Sequence, residues 1–226
     1  MRDTARAAAT AAITMVAVAA CTALAAACST APEREFTPAG AAAGDRAGGA
    51  AGEAAAAPVP TVATTTVAPG LRVQVEWPAV PEPGQAAIIK AFGDVYTRQW
   101  RAVGTLGADT SYLDGVEEPA SRDAYTWVNG FVGEGLSARG VARLYALRVA
   151  SVSGPGAEVD GCVDESGVRV TDEKGTPVAR QPDWTKPPKS TYFQAAGVRR
   201  GDDGTWRVKL LRHAAYPDER AKECVR

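Results

Sequence analysis

The residues best suited to chemistry in this chain are four cysteines and a single histidine. A reactive thiol needs a lowered pKa or a Cys-x-x-Cys spacing, and the sequence indicates neither. His213 could serve as a general base, but sequence spacing places no acid or nucleophile beside it. It also ends a predicted strand, where side chains are commonly exposed. We therefore predict no catalytic residue among these five.

The acidic side chains between residues 160 and 172 are the next candidates for a site. Calcium uses oxygen ligands at tight spacing, but the EF-hand pattern is absent, as are zinc-type spacings, phosphate loops, nucleophile elbows and dinucleotide fingerprints. We expect no metal and no cofactor. The balance of 25 basic against 26 acidic residues also argues against nucleic acid as a partner, because a polyanion binder needs a basic excess. The four acids are Asp160, Asp164, Glu165 and Asp172.

The first 27 residues have the pattern of an export signal. Two arginines stand within the first six residues, and residues 7–27 carry no charge. A segment of this length could just span a bilayer, but most of its residues are Ala and Thr, which partition weakly into lipid. We predict a cleaved signal peptide over residues 1–27.

Two cysteines sit where the signal would end, and small residues precede both, as in a bacterial lipobox. Val18 favours Cys21, since it is the better residue three positions before a lipidated cysteine. Lipidation at Cys28 instead removes Cys21 and avoids leaving a free exported thiol. We predict Cys28 as the lipidated residue, with Cys21 as the alternative. Two or more acyl chains would anchor the protein stably on the outer face of the cytoplasmic membrane, in the cell envelope.

The two remaining cysteines are predicted to form a disulfide. An exported protein meets an oxidising compartment, the count is even after cleavage at Cys28, and Cys162 lies on a predicted strand whereas Cys224 lies in the tail. The loop of about 60 residues that this bond closes would restrict the unfolded chain by about 4 kcal/mol.

Composition divides the rest of the chain into a tether and one domain. Residues 1–70 contain one aromatic residue, Phe36, and all five tryptophans lie further along the chain. A segment rich in Ala, Gly, Pro and Thr cannot bury enough apolar area to offset its ordering entropy. We predict a lipidated N-terminus and disordered tether over residues 28–70, and a folded domain over residues 71–226.

Hydrophobic periodicity predicts helices first and strands afterwards. Ile88, Phe92, Tyr96 and Trp100 recur every four residues and indicate a helix over 84–103, and a looser stripe indicates a second over 119–136. From residue 141 apolar residues recur every second position, as in strands. The turn Gly201–Gly204 connects the two strands of the clearest predicted hairpin. Strands that follow helices favour an α+β fold, with the helices on one face of a curved antiparallel sheet. The predicted strands are 141–153, 157–164, 167–171, 191–200 and 205–213, with a proline-rich loop at 180–189.

Short motifs in the domain resemble those of a known group. They are Asp160-Gly161-Cys162-Val163-Asp164-Glu165-Ser166, Gly204-Thr205-Trp206-Arg207-Val208 and the late Cys224. The combination resembles small secreted actinobacterial lipoproteins with an NTF2-like (cystatin-like) domain. This resemblance implies a cone with a pocket between helices and sheet. It does not select a function, because such cones host enzymes, binding modules and recruiting domains.

The leading functional interpretation is a noncatalytic, lipid-anchored envelope protein whose cone binds a small ligand or a partner protein. Trp77 and Trp184 stand near prolines in predicted loops and could line a peptide or glycan groove. The alternative for both is a lid packed over the edge of the domain. The expected partners are the membrane, through the lipid anchor, and another envelope protein or wall component.

Two other functions stay open at this point. An NTF2-like enzyme would use an Asp or Tyr in the pocket, and Tyr96, Tyr145, Tyr192 and the strand acids are its candidates. Alternation alone does not say which of these side chains face inward. A docking module would use the basic C-terminal hairpin, in which Arg207 and Lys209 share a face, unless these charges pair with the acids of residues 157–173. A buried carboxylate of raised pKa beside a tyrosine would favour the enzyme, whereas a cone filled by Trp and Leu would favour binding or a structural role.

Overall fold

The computed structural model describes residues 59–79 and 82–226. The predicted signal peptide, the lipidation candidates Cys21 and Cys28, and the tether up to residue 58 lie outside the described residues.

Six strands form one curved sheet whose spatial order follows the chain. Every neighbouring pair is antiparallel except β2 and β3, which run parallel. The strands are β1 (Thr61–Ala68), β2 (Leu71–Trp77), β3 (Leu136–Ser153), β4 (Gly156–Asp172), β5 (Thr191–Arg200) and β6 (Trp206–Ala215).

Helix α1 (Pro83–Gly104) packs on one face of the sheet, which we call the concave face. It begins with Pro83 in its first turn, where the missing N–H costs nothing, and its stripe of Ile88, Phe92, Tyr96 and Trp100 is buried as predicted. Helix α2 (Ala120–Val132) confirms the second predicted helix but ends at Val132, earlier than the predicted residue 136. The α+β class with helices laid on a curved sheet is confirmed. A short α3 (Glu219–Lys222) follows β6, and no helix within the described ranges is long and apolar enough to cross a membrane.

The folded domain begins earlier than the predicted boundary at residue 71. Thr61–Ala68, placed in the tether from its composition, forms β1 and pairs with β2. Thr and Val have high strand propensity, and Val67 and Ala68 bury their side chains against the core. The low aromatic content of the segment therefore misplaced the boundary, because the strand depends on backbone pairing more than on its own apolar side chains.

The strands predicted at 157–164 and 167–171 are one continuous strand, β4. The glycine that suggested a break, Gly167, lies at an irregularity where the β3–β4 register shifts. Gly140 on β3 pairs with the next residue, Val168. It has a φ of +104°, and a Cβ at Gly140 would lie 2.0 Å from the carbonyl oxygen of Gly167. The two glycines therefore allow close backbone approach at a bulge, and they do not end the strand.

Aromatic side chains fill the space between α1, α2 and the sheet. Trp100 is fully buried, and the ring of Trp127 stands edge-on to it with 5.0 Å between centroids. Phe131 lies 5.9 Å from Trp100 and 5.7 Å from Trp184. Trp100 and Trp127 are thus core residues, as predicted, and Trp206 also packs against the core.

The predicted disulfide between Cys162 and Cys224 is present. It lies on the opposite face of the sheet, which we call the outer face, in a small second cluster with Tyr145 and Phe193. The Tyr145 hydroxyl donates to the carbonyl oxygen of Cys224, and the guanidinium of Arg226 lies 3.8 Å over the Tyr145 ring. The tail that contains α3 is therefore fastened to the outer face.

Helix α1 meets β2 through a glycine, which gives a first testable prediction. A Cβ at Gly93 would lie 2.8 Å from Cη2 of Trp77. Gly93→Val should displace that indole and lower the free energy of unfolding by about 1–3 kcal/mol. Urea denaturation followed by tryptophan fluorescence measures the change.

The matched control is Gly84→Val in the same helix, where an added Cβ meets nothing within 4 Å. This control should stay within about 0.5 kcal/mol of the wild type. Equal losses in both variants would show that helix propensity, and not the Trp77 contact, sets the result.

Candidate functional site

A buried carboxyl group lies inside the domain between α1 and the sheet. Glu165 of β4 is 3% exposed. The Tyr192 hydroxyl of β5 donates to its Oε1 at 3.1 Å, and the Tyr96 hydroxyl of α1 lies 3.5 Å from the same atom. Side chains alternate along β4, so Glu165 shares the concave face with Gly161 and Val163. Three separate elements thus place these groups together, which we call the Glu165 cluster.

Burial controls the ionisation of this cluster. Loss of hydration raises the pKa of Glu165 to about 8, although the hydrogen bonds from Tyr192 and Tyr96 act in the opposite direction. Burial, together with the nearby Glu165 carboxyl, also raises the pKa of Tyr96 and of Tyr192 well above the usual value for tyrosine. At neutral pH the acid is therefore mostly protonated, so it is chemically a hydrogen-bond donor as well as an acceptor.

Sequence reasoning found only part of this cluster. Tyr96 and Tyr192 were among the candidates for an enzyme, but Glu165 was placed only in the acidic group of residues 160–172 and was not assigned to an inward face. The signal that could have identified it is the alternation through Val159, Gly161 and Val163, which continues onto Glu165. Tyr145, the third tyrosine candidate, lies on the outer face with Cys162 and not near the cluster.

The two tryptophans predicted to line a groove pack as lids instead. Trp77 rests on Gly93 of α1, and Trp184 joins the aromatic cluster around Trp100. Both are only partly buried, and both pack against the core. Neither lines the larger cavity described below.

Two basic side chains of the C-terminal hairpin form ion pairs, but with other acids than the sequence predicted. Arg207 forms a two-pronged pair with Asp203 in the adjacent turn, at 3.0 and 2.6 Å, and this pair lowers the pKa of the Asp203 carboxyl. Lys209 lies 3.3 Å from Glu117, just before α2. Pairing with residues 157–173 does not occur here because β6 borders β5 and not β4. His213 is exposed, as expected.

A cavity of about 430 Å³ opens on the outer face, and we call it the outer groove. Its lining includes basic and acidic side chains that pair with one another. Arg143 lies 3.1 Å from the amide oxygen of Gln74 and 3.2 Å from Asp164. Arg226 lies 2.9 Å from Glu76. The other lining residues are Val62, Leu144, Tyr145, Ser166, Pro187, Pro188, Thr191, Cys224 and Val225.

Glu165 lines neither the outer groove nor a smaller cleft of about 160 Å³ near Arg139 and Lys174. Its neighbours in sequence, Asp164 and Ser166, do line the groove, because alternation sends them to the opposite face. Within the residues that the structure describes, no group of three or more His, Cys, Asp or Glu side chains could hold a metal ion.

No protein-family model matches the chain, and no curated protein matches it. Solved structures that resemble it do so at low identity. The intermembrane space region of the chloroplast protein ARC6 has a TM-score of 0.43 and 14% identity, over 60% of this chain and 99% of that one. A Novosphingobium aromaticivorans protein named provisionally as an aromatic ring hydroxylase has a TM-score of 0.40 and 15% identity, over 57% and 90%.

A second Novosphingobium aromaticivorans protein, named provisionally as a scytalone dehydratase, has a TM-score of 0.35 and 14% identity, over 59% and 90% of the two chains. The similar structures thus include NTF2-like and scytalone dehydratase-like proteins, at low identity. At these scores the likeness carries no argument about function.

Proposed function

We propose that this chain is a noncatalytic, lipid-anchored cell-envelope protein that binds a small ligand or a partner segment in the outer groove. The proposal rests on one observation: side chains fill the concave side of the domain, but a groove stays open on its outer face. The concave side is filled by Trp100, Trp127, Phe131 and Trp184, whereas the outer groove is open. Its volume of about 430 Å³ lies within the range of about 300–1,000 Å³ found for ligand sites.

The groove suits an occupant that carries both donors and acceptors. Arg143 and Arg226 supply fixed positive charge, while Asp164 and Glu76 lie beside them as acceptors. A single-sign polyanion would meet repulsion from the two acids. Pro187 and Pro188 add apolar lining to the groove. A groove that offers charges of both signs beside apolar surface is suited to a short polypeptide segment or a compact zwitterionic molecule.

The test of the groove is site-directed photo-crosslinking in the producing cell. A benzophenone side chain at Thr191, inside the groove, should yield a specific adduct. The same group at Thr205, an exposed residue in the β5–β6 turn, serves as the control. Adducts of equal yield and composition at both positions would show that the groove does not bind a specific occupant.

The anchor gives a separate prediction. Replacing both Cys21 and Cys28 by serine should move the protein from the membrane fraction to the soluble envelope or culture fraction, because no lipid can then be attached. Fractionation with immunodetection measures the shift. Single substitutions distinguish the two cysteines, since only the lipidated one should matter. A double variant that stays in the membrane fraction would contradict the anchoring proposal.

The Glu165 cluster favours a second candidate, an enzyme of the cone type. A protonated carboxyl beside two tyrosines is a group of donors able to stabilise developing negative charge on a bound substrate. Such a role requires the interior to admit a ligand. Fragment screening by NMR should then find compounds that shift the Tyr96 and Tyr192 signals in the wild type and not in Glu165→Leu. Fragments that bind only near Arg143 would support the groove instead.

A further inference from the structure

Within the described residues, strand β1 forms an unprotected edge of the sheet. In the part of the chain that the structure describes, β2 is its only neighbour in the sheet. The residues from Thr61 to Thr66 are all exposed, and Val62 is 63% exposed. An edge strand directs half of its N–H and C=O groups away from its partner, so it is a template for another strand.

The opposite edge of the same sheet is protected in two ways. The N–H of Glu117 donates to the carbonyl oxygen of Val208 at 2.8 Å, so the segment before α2 covers part of β6. Arg207, Lys209 and Arg212 also place charge along β6. Charged side chains and covering segments are the usual protection of sheet edges. This domain therefore protects one edge and leaves the other open.

The side chains of β1 suit pairing with themselves. The strand reads Thr-Val-Ala-Thr-Thr-Thr-Val-Ala and contains no ionisable residue. In an antiparallel pair of identical strands only Thr, Val and Ala would face one another, so Thr–Thr or Thr–Val contacts could form across the seam and no like charges would meet. Pro60 and Pro69 flank the strand and limit the available edge to its eight residues.

We propose that the β1 edge binds the β1 edge of a second copy of this chain, antiparallel and related by a two-fold axis. Such an interface is closed and uses the same surface twice. The two sheets become one sheet of twelve strands, as follows from six in each copy. Val62 lines the outer groove, so the two grooves lie on the same side of this sheet, next to the seam.

The path of the chain also favours a second copy as the occupant. The described domain begins at β1, and the residues before it include the proposed lipid anchor. Copies anchored in one membrane would therefore present their β1 edges at a similar height above it. This point rests on the proposed anchor, but the pairing itself does not, since it follows from the exposed and uncharged edge.

Sedimentation of the full chain in mild detergent tests the pairing. The wild type should show a concentration-dependent dimer. The triple variant Val62→Lys/Thr64→Lys/Thr66→Lys should be monomeric, because three like charges would face their copies across the seam. Leu210→Lys on the exposed surface of β6 is the control and should stay dimeric. A monomeric wild type, or a dimer that persists in the triple variant, would overturn the proposal.

Disulfide crosslinking in intact cells tests the register. Thr64 lies in the middle of the exposed part of β1, so Thr64→Cys should form a crosslinked dimer under mild oxidation. Thr205→Cys, at the far side of the sheet, should not exceed the background of the native cysteines. Equal crosslinking at both positions would overturn the two-fold arrangement, as would crosslinking of Thr64→Cys only to a different protein.

Discussion

The wild-type domain should lose stability as pH rises from 4.5 to 8, and Glu165→Gln should remove most of that loss. The folded-state pKa of Glu165 is raised to about 8 from a reference value of 4.5. Below pH 4.5 the carboxyl is protonated in both the folded and the unfolded chain, so burial of Glu165 does not lower the free energy of unfolding there. Between the two values the unfolded chain releases the proton and the folded chain retains it, so unfolding becomes easier by up to about 1.4 kcal/mol per pH unit.

Across the whole window the expected loss is on the order of 5 kcal/mol, a large part of the stability of an ordinary domain. Urea denaturation at a series of pH values measures it. The matched control is Glu158→Gln, which removes an exposed acid of the same strand. This control should keep the slope of the wild type. A wild-type curve that is flat from pH 5 to 8 would show that the interior hydrates the Glu165 carboxylate.

Removal of the Cys162–Cys224 disulfide should lower the free energy of unfolding by about 4 kcal/mol in the chain-entropy model. The two cysteines are separated by 62 positions, so the closed loop is long and the unfolded chain gains much freedom when it opens. The measurement is chemical denaturation of Cys162→Ser/Cys224→Ser against the wild type, in a chain that starts at residue 29 and so lacks the N-terminal cysteines.

The control for this prediction is a reductant. It should destabilise the wild type by about the same amount as the double substitution and leave the double variant unchanged. If the reductant lowered the stability of both proteins equally, an effect other than the disulfide would be responsible.

The concave side of the domain was largely predictable from sequence, because a four-residue apolar repeat in α1 and two-residue alternation in the late strands each require one buried face. Register was not predictable. The bulge at Gly140 and Gly167 depends on two residues far apart in sequence that meet only in the sheet. For the same reason β1 was missed, since its few apolar side chains are buried only once β2 pairs with it.

The candidate sites show the same limit. Cysteine count and compartment were enough to predict the disulfide. The partner of Arg207 lies in the turn of its own hairpin. The partner of Lys209 could not be derived, because it depends on where the segment before α2 crosses β6. Glu165 was visible as an acid between two predicted strands, but its burial depends on α1 placing Tyr96 at the same point.

Because a disulfide holds the tail in place, the shape of the outer groove depends on the redox state of the protein. Cys224, Val225 and Arg226 form one wall of the groove, and the bond from Cys224 to Cys162 holds that wall in place. Thiols stay reduced in the cytoplasm and become oxidised after export. If the chain is exported as proposed, a copy still in the cytoplasm would have a loose tail and an incomplete groove. Competence to bind would then be acquired only at the destination, so a premature encounter with the occupant inside the cell would be unproductive.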